Sequence, residues 1–228
     1  MRVLHFGAHG DDEVLGVGGT LARYADEGHD GFAAIFVGRM NRRLAETIGT
    51  RYDDNVIALR KRQSQEAAGI LGLKETRFLD FEDETLDEDL LGCTLATERL
   101  IKELKPNVVF IHHRGDSNQD HRGMFKAAIV ACRQFAGTTL SDIYCYETLS
   151  TTEQSPVCAE YAFLPNYYVN IQSTLERKLD AMKCYKDEPC AFPHPRSLEG
   201  IMALARVRGM AVGFTAAEAF MTYRRTCV

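Results

Sequence analysis

The chain predicts an α/β fold: a mostly parallel sheet with helices on both faces, and a C-terminal extension that adds strands and helices. Two observations carry this expectation. Short apolar runs alternate with stretches of helical periodicity through the first part of the chain, the pattern of strands joined by helical crossovers. The 228 residues, 45% apolar and 26% charged, are enough to bury a sizeable core and too apolar for a disordered chain.

Element by element, Val3 to Ala8 is a short apolar run ending in small residues, a buried strand. Leu15 to Glu27 repeats apolar and small residues at helical spacing, with Gly28 as C-cap. Phe32 to Val37 gives a second strand, and the polar stretch Gly38 to Asp54 a long loop or short helix. Ile57 to Leu71 is helical and stops at Gly72; Thr76 to Phe81 is a third strand; Leu90 to Leu104 is a helix ended by Pro106. Val108 to His112, rich in β-branched residues, is a strand, and Arg122 to Phe135 a helix. This alternation is that of a Rossmann-like sheet. Beyond it, Ile143 to Leu149 and Tyr167 to Ile171 read as strands, and Thr174 to Lys186 and Arg196 to Met210 as helices. No linker or internal repeat interrupts the chain, so residues 1–228 are expected to form one domain, its C-terminal part supplying some of a pocket wall.

Composition removes several classes of function. A net charge of −5 with interspersed signs offers no basic stripe for nucleic acid. No window approaches the roughly 18 apolar residues of a membrane helix, and no secretory signal is read, so a cytoplasmic location is expected. The cysteines, seven in all and without a CxxC pair, argue against a disulfide framework or a cysteine zinc site.

The chemistry gathers after two strands. Ala8-His9-Gly10-Asp11-Asp12-Glu13 follows the first, and His112-His113-Arg114-Gly115-Asp116-Ser117-Asn118-Gln119-Asp120-His121 closes and follows Val108 to His112. Loops at the carboxyl ends of parallel strands are where such sheets bind ligands. A strand-to-helix turn can aim His9 and Asp12 at one point and Asp11 elsewhere, and His121 from the other loop would complete a facial set of three ligands with open positions. Imidazole plus carboxylate suits Zn²⁺ or Fe²⁺. Taken singly, the acidic run is an ordinary helix N-terminus and each histidine an ordinary structural one. Asp116 to Asp120 imitates the start of a calcium loop, but the positions requiring Gly and Glu hold His121 and Ala127. Gly16-Val17-Gly18-Gly19 lacks the dinucleotide spacing and instead permits close helix packing. A nucleotide-binding site would not place Asp11, Asp12 and Glu13 where phosphate sits.

These residues carry a resemblance. AHGDDE is similar to the AHPDDE motif of the LmbE/PIG-L family of zinc-dependent N-deacetylases, and HRGDSNQDHR resembles its second metal motif, an HxDH core preceded by Asp. Arg60 with Ile70-Leu71-Gly72 resembles a family helix, and RSLEGIMALARVRG and AEAFMTYR resemble its C-terminal helix and closing strand. The resemblance implies His9, Asp12 and His121 as zinc ligands (Fe²⁺ or another divalent ion is an alternative), Asp11 as general base and Asp120 as the carboxylate orienting an imidazole. It also implies a hydrolase of linear amide C–N bonds acting on a small N-acyl, foremost N-acetyl, amino sugar or sugar conjugate. Homo-oligomers are common among similar proteins, so one is an open expectation here.

Two positions depart from the family. Gly10 replaces Pro, at a cost in backbone rigidity, and Asn118-Gln119 stand where many members have His-Pro. An Asn amide can donate to an oxyanion but cannot deliver a proton. Either Asp11 then handles both transfers, or His112, His113 or His194 helps. For the substrate, Arg60 resembles a position contacting a polar or anionic part of the ligand. Arg39, Arg42 and Arg43 could meet a phosphate or carboxylate, His194 lies between prolines suited to a pocket lip, and Glu147 ends a predicted strand. Two rivals stay open: a non-catalytic metal-containing sugar-binding protein, and an amidohydrolase of a non-sugar amide.

Overall fold

The computed structural model describes residues 1–39, 54–134, 139–186 and 188–226. Seven strands form one sheet in the order β3-β2-β1-β4-β5-β7-β6. β1 (Arg2–Gly7), β2 (Asp30–Arg39), β3 (Glu75–Glu82), β4 (Val108–His112) and β5 (Asp142–Tyr146) run parallel. β7 (Ala217–Arg225) returns antiparallel beside β5, and β6 (Tyr167–Asn170) pairs antiparallel with β7 at the edge. The helices are α1 (Asp12–Asp26), α2 (Asp54–Leu71), α3 (Leu90–Leu104), α4 (Gln119–Ala131), α5 (Leu175–Met182) and α6 (Leu198–Met210). The α/β class with a mostly parallel sheet is therefore as the alternation predicted.

The period of two along β1 splits the core. Leu4 and Phe6 face a cluster with Phe36, Leu100, Val109, Ile111 and Met124, under α3 and α4. Val3 faces the opposite cluster with Val17, Leu21, Phe110 and Phe220, under α1. Complete burial of each Leu or Phe contributes about 1.5–3 kcal/mol. Strand order reverses at β1 and β4, which are direct neighbours, so the loops leaving their carboxyl ends open side by side.

Boundaries differ from the expectation in informative places. α1 begins at Asp12 rather than Leu15, and α4 at Gln119 rather than Arg122. Both first turns are polar, so apolar periodicity starts a turn after the helix itself. β5 stops at Tyr146, short of Leu149, because Thr148 and Thr152 close a turn: Thr152 N donates to Thr148 O at 2.9 Å. α5 ends at Met182 rather than Lys186. Gly38 and Arg39 end β2 and Asp54 opens α2; the rest of that polar segment, Arg42 and Arg43 included, and Phe135 at the expected end of α4 lie outside the described residues.

The glycines of α1 do pack closely: a Cβ on Gly19 would meet Ile171 at 2.8 Å, and one on Gly16 would enter the Tyr146 ring. On the same side of α1, Glu218 accepts from Gly19 N at 2.9 Å and Thr20 N at 2.7 Å, while Lys178 Nζ donates to Leu15 O at 2.9 Å and to Glu218 at 2.5 Å. This buried pair ties α1 to α5 and β7. Among the described residues no helix is long and apolar enough to cross a membrane.

Candidate metal centre

The two loops meet above the β1–β4 junction. One ligand atom each from His9, Asp12 and His121 lie within 4.8 Å of one another. Contacts with neighbouring carboxylates decide which nitrogens face inward. His9 Nε2 contacts Asp83 Oδ1 at 3.0 Å and Asp120 Oδ2 at 3.2 Å, so it carries the proton and leaves Nδ1 turned toward Asp12 Oδ2, 3.7 Å away. For His121 the roles reverse: Nδ1 lies 3.2 Å from Asp116 Oδ1, and Nε2 lies 3.5 Å from Asp12 Oδ1. Each inward imidazole thus has a carboxylate behind it, the arrangement that fixes tautomer and direction in metal sites. Both outer acids are themselves anchored. Asp120 accepts from Glu84 N at 2.7 Å and Leu86 N at 3.0 Å; Asp116 accepts from Thr152 Oγ1 at 2.6 Å and Asn118 N at 2.8 Å. His9, Asp83 and Asp120 also form a set of suitable geometry. That set uses the nitrogen already donating to two acids, so the first set is the one with a ring nitrogen of His9 left to offer an ion.

Asp11 occupies an unusual backbone position, φ 114° and ψ −24°, as N-cap of α1. Neighbours over-determine it. Its carbonyl accepts from Val14 N at 2.9 Å and Leu15 N at 2.8 Å, and its N–H donates to Glu13 Oε2 at 3.1 Å. Glu13 is held in turn by the Tyr185 hydroxyl, which also reaches Ser64 Oγ at 3.0 Å. The Asp11 carboxylate meets Arg196, whose Nη1 is 3.2 Å from Oδ2.

A cavity of about 710 Å³ opens over this centre. It is lined by His9, Asp11, Asp12 and Asn118 from the two loops, by Asp83, Glu84, Arg60, Arg196 and Glu188, and by the apolar Ile35, Val37, Val56 and Phe78. Asn118 caps α4, its Oδ1 accepting from Asp120 N at 2.8 Å and His121 N at 3.4 Å, which leaves Nδ2 as the group able to donate. Arg39 also borders the cavity.

Other residues singled out in the sequence sit elsewhere. Glu147 is bound to Arg208 through both oxygens, at 2.7 and 2.6 Å, beside α6. His194 is exposed, its Nδ1 accepting from Arg196 N at 3.1 Å. His112 lies behind Asp12, Nε2 to Oδ2 3.2 Å, stacked on His121; His113 Nε2 contacts Tyr161 O at 2.8 Å. None of these four lines the cavity. Sequence reasoning gave no functional role to Asp83, Tyr185, Glu188 or Arg196, and quoted Asp116 only as part of the second metal motif. Asp83 follows β3 at its carboxyl end, the same signal that marked the other two loops.

Charge states test whether the residues fit a cation. Burial disfavours a charged His9, yet hydrogen bonds to Asp120 and Asp83 and the charge of Asp12 hold it well above the usual imidazole range. Burial likewise opposes ionised Asp12, but His121, His112 and His9 keep it well below the usual carboxylate range. The acids around His9 therefore call for positive charge at this point, and two imidazoles plus a carboxylate are a donor set for a borderline divalent ion. The residues fit one. Asp11 differs: burial raises it well above its ordinary range, Arg196 opposing and Asp12, Glu188 and Glu13 adding to the rise.

Comparisons with known proteins agree with this architecture. The family model described as GlcNAc-PI de-N-acetylase (PIG-L) matches residues 4–132. The uncharacterized deacetylase YaiS of Escherichia coli (strain K12) is 32% identical over 190 residues, spanning 81% of this chain and 90% of the relative. Among solved structures, N,N'-diacetylchitobiose deacetylase from Pyrococcus horikoshii superposes with a TM-score of 0.75 at 23% identity, covering 98% of this chain and 84% of that one. The 4-carboxy-2-hydroxymuconate hydratase from Pseudomonas putida KT2440 does so with 0.75 at 19% identity, covering 100% and 98%. The fold alone hosts both chemistries. Family model, extended relative and fold agree: the chain belongs to the PIG-L (LmbE-like) family.

Proposed function

We propose that the protein is a zinc-dependent N-deacetylase of amino sugars or their conjugates. The observation that carries this is the convergence of His9, Asp12 and His121 beside a carboxylate, Asp11, that belongs to no ligand set and lines the cavity. A site that only bound metal or sugar has no need of that extra acid. The family description and the YaiS name support deacetylation, and a 710 Å³ cavity admits an amino sugar bearing a substituent.

His9, Asp12 and His121 would hold the cation, which when bound supplies Lewis acidity to the amide carbonyl and lowers the pKa of water. Asp11 accepts the proton of the attacking water. The Asn118 amide nitrogen donates to the developing oxyanion. With no other imidazole on the cavity wall besides His9 among the described residues, Asp11 also returns the proton to the departing amine, a task suited to an acid whose burial favours its protonated form. Asp120 and Asp116 hold the two imidazoles in register.

The test is release of free amine from N-acetylglucosamine glycosides by zinc-loaded protein, with and without chelator. Asp11→Asn should retain zinc and lose about 10²–10⁴-fold in kcat. Wild-type-like turnover by that variant removes Asp11 from the mechanism. Zinc binding without turnover of any N-acyl sugar favours the sugar-binding reading, to which Asn118 in place of a proton-donating histidine gives its one specific support.

A further inference from the structure

Two arginines on the cavity flank converge on a single acid. Arg60 Nη2, from α2, lies 2.6 Å from Glu188 Oε1, and Arg196 Nη1, from the segment before α6, lies 2.7 Å from Glu188 Oε2. Arg196 is fixed from behind by Ser150, its Nε donating to Oγ at 2.7 Å, and its Nη1 also reaches Asp11. Two guanidinium groups brought from different elements to one point, with one carboxylate oxygen for each, make a seat for an oxyanion. All three residues line the same cavity as His9 and Asp12. The seat is taken by the protein's own carboxylate, from the stretch between α5 and α6.

A substrate bearing a carboxylate or phosphate on this side would face a fixed like charge and would have to displace it. A sugar hydroxyl would not, since it can donate to Glu188 and accept from either arginine without breaking the pair. We propose that Glu188 is a specificity-determining residue: it fills a two-arginine anion seat and restricts this wall of the cavity to uncharged, hydroxyl-bearing groups of the substrate. The proposal rests on the deacetylase reading only for the identity of that substrate; the seat rests on the geometry of Arg60, Arg196 and Glu188.

Inorganic phosphate is the probe, titrated calorimetrically into zinc-loaded wild type, Glu188→Gln, Glu188→Ala and the double variant Glu188→Gln/Arg60→Met. Weak binding to wild type, tightening about tenfold or more in both single variants and lost again in the double variant, is the expected result. Three outcomes overturn the proposal: no gain in either single variant, wild-type binding as tight as theirs, or a gain that survives removal of Arg60 and so belongs elsewhere. A kinetic arm compares KM for N-acetylglucosamine and its 6-phosphate, with the phosphate ester gaining in Glu188→Gln. If no form turns over either sugar, the deacetylase reading falls, while the phosphate titration still decides the seat.

Discussion

Replacing Asp11 by glycine and by alanine separates the backbone cost of this residue from its chemistry. Its φ of 114° lies where a Cβ crowds the backbone, a conformation costing about 1–3 kcal/mol outside glycine. Both replacements remove the same carboxylate, so the contact with Arg196 and the repulsion from Asp12, Glu13 and Glu188 change alike and cancel in the comparison. What remains is the strain, kept by alanine and relieved by glycine, set against the greater chain freedom glycine loses on folding, about 0.5–1 kcal/mol. The glycine variant should therefore be the more stable by roughly 1 kcal/mol, inverting the usual order. The assay is urea unfolding followed by far-UV circular dichroism, because the chain has no tryptophan. Chelator is present throughout so that metal binding adds nothing to either variant. Equal m-values make the midpoints comparable. Alanine as stable as glycine would refute the reasoning, showing that Asp11 carries no strain worth relieving. Neither variant should be active, since neither offers a carboxylate.

Three further outcomes follow from the packing. Asp120→Asn keeps the shape but weakens the hold on His9 Nε2, so zinc affinity measured by competition with a chelator should fall about 10–100-fold with little change in fold. Lys178→Met leaves Glu218 buried without its counter-charge and should cost about 3–5 kcal/mol in urea unfolding, of which adding Glu218→Gln recovers part; full stability in the single variant would show that the backbone donors of Gly19 and Thr20 suffice. Gly16→Ala drives a methyl group into the buried Tyr146 ring and should cost about 1–3 kcal/mol, read as a lower urea midpoint.

What the sequence made legible follows from what its patterns encode. β1, β4 and α3 stand within a residue of expectation because their apolar faces are continuous and their ends carry Gly, Pro or a polar loop. α1 and α4 start a turn earlier than periodicity allowed, since Asp12, Glu13, Gln119, Asp120 and His121 interrupt the apolar pattern at those starts. β7 was visible only through the family resemblance: it is the last strand in the chain yet lies inside the sheet, between β5 and β6, a placement that depends on its return in the opposite direction. The rule that ligands gather at strand carboxyl ends pointed to two loops that the fold brings together and to Glu147, which stays apart from them, for it specifies an end of the sheet and not a face. Glu147 is at the right end of β5 but turns to Arg208. Glu188 was beyond reach for a different reason. In Lys186-Asp187-Glu188 it looks like one more solvated charge, and nothing local marks it. Only the packing of the C-terminal extension against α2 sets its carboxylate between Arg60 and Arg196, so this arrangement is a property of tertiary structure, made by residues whose sequence neighbours are silent about it.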